Sequence, residues 1–118
     1  MSLKMLFGEV NLEITINTAT YETSTGFDIS TNTGLIFMLK ENPLDADVDA
    51  DYSITEGADL SYSSNVITAK INDWSGLSVD KTYHIGVGFT LAGDSNYREI
   101  PLASPDDVLQ FNQDVIRG

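Results

Sequence analysis

A regular alternation of apolar and polar residues is the feature that most limits how this chain can fold. It is clearest over residues 82–91 and appears again over residues 10–16, where Val, Leu and Ile alternate with Asn, Glu and Thr. A period of two belongs to a β-strand, because successive side chains of a strand point to opposite faces of its sheet. Both stretches are therefore predicted to be half-buried strands. The apolar face of the first consists of Tyr83, Ile85, Val87, Phe89 and Leu91.

Further short strands are predicted along the rest of the chain, with turn-forming residues between them. Residues 35–39 are apolar without alternation, which is typical of a strand buried on both faces. Ser63-Ser64-Asn65 is predicted to be a hairpin turn, and residues 18–26, rich in Thr and Ser, are predicted to be a connection. No segment predicts a helix. The remaining predicted strands are residues 59–62, 66–71, 97–102 and 108–115. Further turns are predicted at residues 93–96 and 104–107.

This spacing of short strands and turns predicts an all-β fold, a sandwich or a barrel of about seven strands. With 118 residues, 42% of them hydrophobic, the chain is predicted to form one domain over residues 1–118 around a single core. Residues 1–8 are expected to be a disordered or tag-derived segment at the start of that domain.

The charge and composition of the chain disfavour several classes of function. The formal net charge is −12, with only six Lys and Arg residues, so neither nucleic acid nor an anionic membrane is expected as a partner. Without cysteine the chain can form neither a disulfide nor a thiol-based metal site. No stretch has the roughly 18 apolar residues of a membrane span, and a signal peptide is not expected, because the start lacks a basic region followed by an apolar one.

An acidic run, Asp45-Ala-Asp-Val-Asp-Ala-Asp51, places a carboxylate at every second position. It partly fits the loop of a helix–loop–helix calcium site, but Ala50 stands where the sharp turn requires glycine, and no helix is predicted on either side. Two interpretations stay open: a looser calcium site on a loop, since clustered carboxylates attract hard cations, and a solvated loop between strands. The candidate calcium ligands are Asp45, Asp47, Asp49, Asp51 and Glu56.

Residues that could support catalysis are few. His84 is the only histidine, and no nucleophile motif accompanies it, so a surface or interface role is expected for its side chain. The chain is therefore predicted not to be an enzyme, and calcium at the acidic run is the only cofactor considered. Aromatic side chains that could stack on a sugar make carbohydrate binding an alternative; they are Trp74, Tyr52, Tyr62 and Tyr97.

Two glycines in the strand at residues 82–91 point to a contact surface. Gly86 and Gly88 leave bare backbone on the face opposite the apolar one, and a strand seldom contains glycine unless something approaches it closely. Ile36 and Met38 likewise make the second face of their own strand apolar. If the two strands are neighbours, these four residues form an apolar patch on the outer face of the sheet, which a partner, a loop or the chain terminus would cover.

The stretch Leu39-Lys-Glu-Asn-Pro-Leu-Asp-Ala-Asp-Val-Asp-Ala-Asp51 resembles a pattern in the immunoglobulin-like (Ig-like) domains of phage virions, in which a strand ending in Leu-Lys leads into an acidic turn. The N-terminal domain of the upper baseplate protein belongs to the same broad group. The resemblance covers roughly residues 10–117. Other segments similar to tailed-phage and prophage proteins of this kind are Thr82-Tyr-His-Ile-Gly-Val-Gly88, Tyr97-Arg-Glu-Ile100 and Leu109-Gln-Phe-Asn-Gln-Asp-Val-Ile-Arg117.

The resemblance implies an Ig-like antiparallel β-sandwich that acts as a non-enzymatic structural or adhesive module of a tail, baseplate or head. Its partners would be other virion subunits or further copies of itself, bound through sheet faces or edges. Its place would be the virion, after synthesis in the host cytoplasm. The family has no catalytic residues to assign to this chain. A carbohydrate- or calcium-dependent binding module is the alternative function.

Overall fold

The computed structural model describes residues 3–6, 8, 12–29, 33–79, 81–90, 97–102 and 108–112. Within these residues the chain forms nine β-strands, one α-helix and a short 3₁₀ helix at Asp47–Asp49. The helix, α1, is Ala19–Thr25. The strands are β1 (Leu3–Leu6), β2 (Leu12–Asn17), β3 (Thr33–Lys40), β4 (Tyr52–Thr55), β5 (Leu60–Ser63), β6 (Val66–Ile71), β7 (Thr82–Thr90), β8 (Tyr97–Glu99) and β9 (Val108–Asn112).

The strands are arranged in two sheets. The larger has the order β1-β9-β7-β3-β4, with β8 also pairing with β7, and the smaller has the order β2-β6-β5. Paired strands are antiparallel except β1 and β9, which run parallel from Leu3 beside Leu109 to Leu6 beside Asn112. The predicted all-β class and sandwich-like arrangement are thereby confirmed, with nine strands in the described residues where the sequence predicts about seven.

The core lies between the two sheets. Alternate residues of β2 and β6 are buried, and they belong to the same apolar cluster as alternate residues of β3, β7 and β9. Aromatic rings fill much of this space, with Phe37 edge-on to Tyr52 and with Phe111 in contact with both Trp74 and Tyr83. The cluster members with no exposed surface are Phe37, Leu39, Leu60, Ile67, Ala69, Ile71, Phe89, Leu109 and Phe111.

Two of the predicted features have the local geometry that the sequence indicates. The turn between β5 and β6 consists of Ser64 and Asn65, both with positive φ (50° and 65°), as in the type I′ turns that match the twist of a hairpin. β3 is apolar on both faces: Leu35 and Met38, which belong to opposite faces, are 2% and 9% exposed, while Ile36, on the same face as Met38, is half-buried. The hairpin is confirmed, and the predicted burial of both faces of β3 is complete on the inner face and partial on the outer one.

The prediction that residues 18–26 contain no helix is wrong, since α1 occupies most of them. Its sequence is rich in threonine, whose branched side chain has low intrinsic helix propensity. The helix is fixed at its ends instead. Gly26 adopts a left-handed conformation (φ 74°) and donates its N–H to the carbonyl oxygen of Glu22, while the Thr18 N–H donates to the carbonyl oxygen of Asn65. Tertiary contacts therefore override the local preference.

Two short strands, β1 and β4, form where the sequence predicts none. Leu3–Leu6, inside the segment expected to be disordered or tag-derived, forms β1 at the edge of the larger sheet. Tyr52–Thr55 forms β4, which the sequence analysis does not predict. The turns predicted at residues 93–96 and 104–107 lie outside the described residues. Within the described part of the chain, no helix has the length and apolar character that a membrane crossing requires.

Candidate functional site

The four residues of the predicted patch are neighbours across two paired strands. β3 and β7 run antiparallel in the larger sheet, with Ile36 opposite Gly88 and Met38 opposite Gly86. Side chains alternate along a strand, and Phe37, between Ile36 and Met38, is buried in the core. The four positions therefore share the outer face of the sheet.

The outer face at these positions is a shallow groove with a volume of about 300 Å³. The missing side chains at Gly86 and Gly88 lower its floor, and the aliphatic side chains of Ile36 and Met38 line the neighbouring strand. Ile36 is half-buried and Met38 is almost wholly buried, so the surface is a groove rather than the flat apolar patch that the sequence suggests. Its role as an interface stays a prediction.

Charged side chains border this groove. Lys40, at the end of β3, is paired in register with His84 of β7, and its Nζ forms a salt bridge of 2.7 Å with Asp47 Oδ1. The lining also includes the charged Glu99 of β8 and the apolar Pro43. An apolar floor with a few polar groups at its border is the usual composition of a binding site, because the polar groups fix the orientation of what is bound.

The two glycines of the floor differ in what a side chain would meet. A Cβ atom at Gly88 would lie 2.8 Å from the carbonyl oxygen of Arg98 in β8, so glycine at this position permits the close pairing of β7 with β8. Among the described residues, a Cβ atom at Gly86 would meet only the Cβ atom of Met38, at an ordinary distance of 4.0 Å. Gly88 is required by the fold, whereas Gly86 opens toward the groove. A substitution at Gly86 therefore changes the groove without disturbing the sheet.

The acidic run lies in the segment of residues 41–51 between β3 and β4, called here the acidic loop. Its two ends are joined by a hydrogen bond of 2.7 Å from the Glu41 N–H to Asp51 Oδ2. Lys40 Nζ donates to the carbonyl oxygen of Asp45 (2.8 Å) as well as to the carboxylate of Asp47. Lys40, the last residue of β3, thus holds the middle of the acidic loop in place beside the groove.

The carboxylates predicted as calcium ligands are directed to different partners. Asp47 is paired with a lysine, and Asp51 and Glu56 each accept a hydrogen bond from a backbone N–H. Asp45 and Asp49 are exposed. Among the described residues, no three His, Cys, Asp or Glu side chains are grouped so that they could hold a metal ion. The assignment of calcium to these residues stays a prediction.

We expect millimolar calcium to change the thermal melting temperature by less than about 1 °C, because a bound ion would have to displace Lys40 from Asp47. Differential scanning fluorimetry with and without calcium measures this, and magnesium at the same concentration controls for general screening of the negative charge. A clear rise with calcium and none with magnesium would show that the acidic loop binds calcium.

The aromatic residues considered for sugar stacking are engaged in packing and hydrogen bonds. Trp74 lies edge-on to Phe111 with ring centroids 4.9 Å apart. Tyr52 is buried and its hydroxyl donates to a backbone carbonyl oxygen at 3.0 Å, while the hydroxyl of Tyr62 donates to a carboxylate. The side chain of Tyr97 lies outside the described residues. Carbohydrate binding by these rings stays a prediction.

A polar cluster centred on Glu22 of α1 is absent from the sequence predictions. The Glu22 carboxylate accepts hydrogen bonds from Thr18 Oγ1 (2.8 Å), Asn65 Nδ2 (2.6 Å) and the Ile29 N–H (2.8 Å). The Tyr62 hydroxyl donates to the same carboxylate at 3.1 Å. These bonds attach α1 to the β5–β6 hairpin. The local signal, a threonine four residues before a glutamate, does not reveal partners that are distant in sequence.

The ionisation of this cluster follows from its contacts. Partial burial raises the pKa of the Glu22 carboxyl, but the hydrogen bonds it accepts outweigh burial and lower the pKa below its ordinary value of 4.5. Burial, together with the adjacent carboxylate, raises the pKa of the Tyr62 hydroxyl. At neutral pH the glutamate is therefore charged and the tyrosine is neutral, which suits a structural attachment rather than proton transfer.

Comparison with protein-family models, with curated proteins and with solved structures gives no match for this chain. The described residues define a predominantly antiparallel protein of two sheets. Its candidate site is the groove on the outer face of the larger sheet, apolar along its floor and charged at its border. The acidic loop lies directly beside that groove.

Proposed function

We propose that this chain is a non-enzymatic Ig-like module of the phage or prophage virion type, which docks on other subunits through the outer face of its larger sheet. The observation that carries this proposal is the pairing of Ile36 with Gly88 and of Met38 with Gly86. It creates an apolar depression on the outer face of the larger sheet, beside the charged side chains of Lys40 and Glu99. A recess of this kind suits an apolar projection of another protein.

The strand order supports the Ig-like part of the proposal. In immunoglobulin variable-type domains one sheet contains strands G, F, C and C′ side by side, and the other contains B, E and D. The order β9-β7-β3-β4 corresponds to G, F, C and C′, and the order β2-β6-β5 corresponds to B, E and D. β8, which also pairs with β7, is an addition to that pattern.

A tyrosine contact supports the same assignment. Immunoglobulin domains have a tyrosine near the start of strand F whose hydroxyl bonds to the backbone a few residues upstream. Tyr83 is the second residue of β7, and its hydroxyl accepts a hydrogen bond of 2.8 Å from the Ser78 N–H. Ile85, two residues later, takes the place of the disulfide cysteine, and buried Phe37 on β3 takes the place of the core tryptophan.

The chemistry of the groove favours binding over catalysis. The described residues of its lining include no hydroxyl or thiol side chain, so none of them gives His84 a nucleophile to activate. Lys40 and Asp47 neutralise each other in a salt bridge. The groove can therefore offer shape, apolar contact and a few charges, which are the means of a docking surface.

We expect the chain to co-sediment with the virion particles that its host releases on prophage induction. The amount of chain in those particles should be about tenfold or more lower for a Gly86→Gln variant, because a polar side chain would fill the groove. Mass spectrometry of purified particles measures this. Gly57→Gln is the matched control, since Gly57 is exposed and, among the described residues, a Cβ atom there would meet only the Thr55 carbonyl oxygen, at 3.9 Å.

Both variants should melt at or slightly above the wild-type temperature. Glycine weakens a strand, so its replacement at these two positions should not reduce stability. Particles that lack the wild-type chain would contradict the virion role. If Gly86→Gln stays in the particles as well as Gly57→Gln does, the role stands but the groove is not the docking surface.

A further inference from the structure

Two large apolar side chains project from the acidic loop. Leu44 and Val48 are 91% and 89% exposed, and they are the exposed large hydrophobic residues of the described chain. Both lie in one loop, four residues apart, while the other large apolar side chains whose exposure the structure describes are buried or partly buried. Single exposed apolar residues are common on protein surfaces, but a pair confined to one projecting loop is typical of a contact site.

Hydrogen bonds and a salt bridge support the loop that carries them. Leu44 donates its N–H to Asn42 Oδ1 at 3.0 Å, and the Asp49 N–H donates to the Ala46 carbonyl oxygen at 2.9 Å within the short 3₁₀ helix. The salt bridge of Lys40 ties the middle of the loop to β3. A loop ordered before binding loses less conformational entropy when it binds, so these contacts favour recognition.

The charges around the two side chains determine what can approach them. Asp45 follows Leu44 directly, and Val48 stands between Asp47 and Asp49. Asp47 is neutralised by its lysine, whereas Asp45 and Asp49 form no side-chain salt bridge within the described residues. A second copy of this chain, with a net charge of −12, would bring more carboxylates to the same place. A basic surface would complement it.

We propose that the acidic loop is a recognition element for a protein partner whose apolar pocket, flanked by Lys or Arg, receives Leu44 and Val48 while Asp45 and Asp49 pair with the basic border. This inference rests on the proposed docking function, and it specifies the chemistry of the partner. It concerns the loop rather than the groove, so the two can be tested separately.

The test uses a short amphipathic helical peptide of Leu and Lys as the probe, and its Leu and Glu counterpart as the probe of opposite charge. We expect the Leu/Lys peptide to bind the full chain at least about tenfold more tightly than it binds a Leu44→Ser/Val48→Ser variant, which keeps every charge. The Leu/Glu peptide should not bind. Methyl NMR should show the largest shifts at Leu44 and Val48.

A matched pair of single variants separates the charge of the loop from the charge of the chain. Asp49→Asn and Glu13→Gln remove one exposed carboxylate each, from the acidic loop and from β2. We expect a several-fold larger loss of Leu/Lys peptide affinity for the first. Equal losses would mean that the peptide senses only net charge, and the proposal would be wrong.

Two further outcomes would overturn the proposal. One is equal binding of the Leu/Lys peptide by wild type and by the Leu44→Ser/Val48→Ser variant. The other is a concentration-dependent dimer of the chain alone that this variant abolishes in sedimentation equilibrium, since the loop would then belong to a second copy. Either result leaves the particle experiment unaffected, because that experiment depends on Gly86 and the groove.

Discussion

Replacing Phe89 by alanine is expected to lower the free energy of unfolding by about 3 to 5 kcal/mol, the range found when a large aromatic side chain is truncated in a core. Phe89 has no exposed surface. Its ring lies edge-on to Tyr21 of α1, with centroids 6.2 Å apart, and edge-on to Phe27, at 6.1 Å. The substitution therefore removes buried area from β7 and also the aromatic contact that seats α1 on the larger sheet.

Urea denaturation followed by circular dichroism measures this loss. Leu44→Ala is the control, because it truncates an apolar side chain that is 91% exposed and should change stability by less than about 0.5 kcal/mol. If Phe89→Ala lost less than about 1 kcal/mol, the ring would have to be replaceable by its neighbours, and the packing of α1 on β7 would not contribute as described.

Glu22→Gln is expected to lower the free energy of unfolding by about 2 kcal/mol, near the lower end for hydrogen bonds to a charged group because the cluster is partly open to water. A glutamine offers one acceptor oxygen where the carboxylate offers two, and its amide group would face donors. The Ile29 N–H is the most costly donor to leave unpaired, since Ile29 is buried. Glu13→Gln, an exposed change of the same kind on β2, should alter stability by less than about 0.5 kcal/mol.

The contribution of Glu22 should also depend on pH. Because the folded state lowers the pKa of its carboxyl below the ordinary 4.5, this stability is fully present above about pH 4.5 and is lost as the pH falls through the lowered value. The difference in unfolding free energy between wild type and Glu22→Gln should therefore shrink in acid. A difference that stays constant well below pH 4.5 would show that the charge of Glu22 does not matter.

The elements that the sequence predicts well are those whose own pattern decides their structure. β7 alternates over nearly its whole length, and the doubly apolar residues 35–39 are recognisable without knowing their neighbours. α1 is different, because its threonine-rich sequence has no helical preference and its stability comes from Glu22, Asn65 and Gly26. β4 is only four residues long, and its strand structure depends on pairing with β3.

The candidate site was predictable to a similar extent. A period of two is enough to place Gly86 and Gly88 on one face, and Ile36 and Met38 on one face of another strand. These faces form one surface only if β3 and β7 are neighbours. The sequence pattern does not show which strands pair, whereas the structure shows that these two do. The salt bridge from Lys40 to Asp47 and the approach of β8 to Gly88 arise from the folded chain, so no local pattern could indicate them.

The parallel pairing of β1 with β9 has a mechanical consequence. A pull on the chain before β1 and after β9 acts in opposite directions on two adjacent parallel strands, Leu3–Leu6 and Val108–Asn112. The force then lies along the strands and loads their hydrogen bonds together in shear, whereas a hairpin pulled from its open end would lose its bonds one after another. This pair of strands should therefore resist mechanical unfolding when the chain is pulled from its two ends.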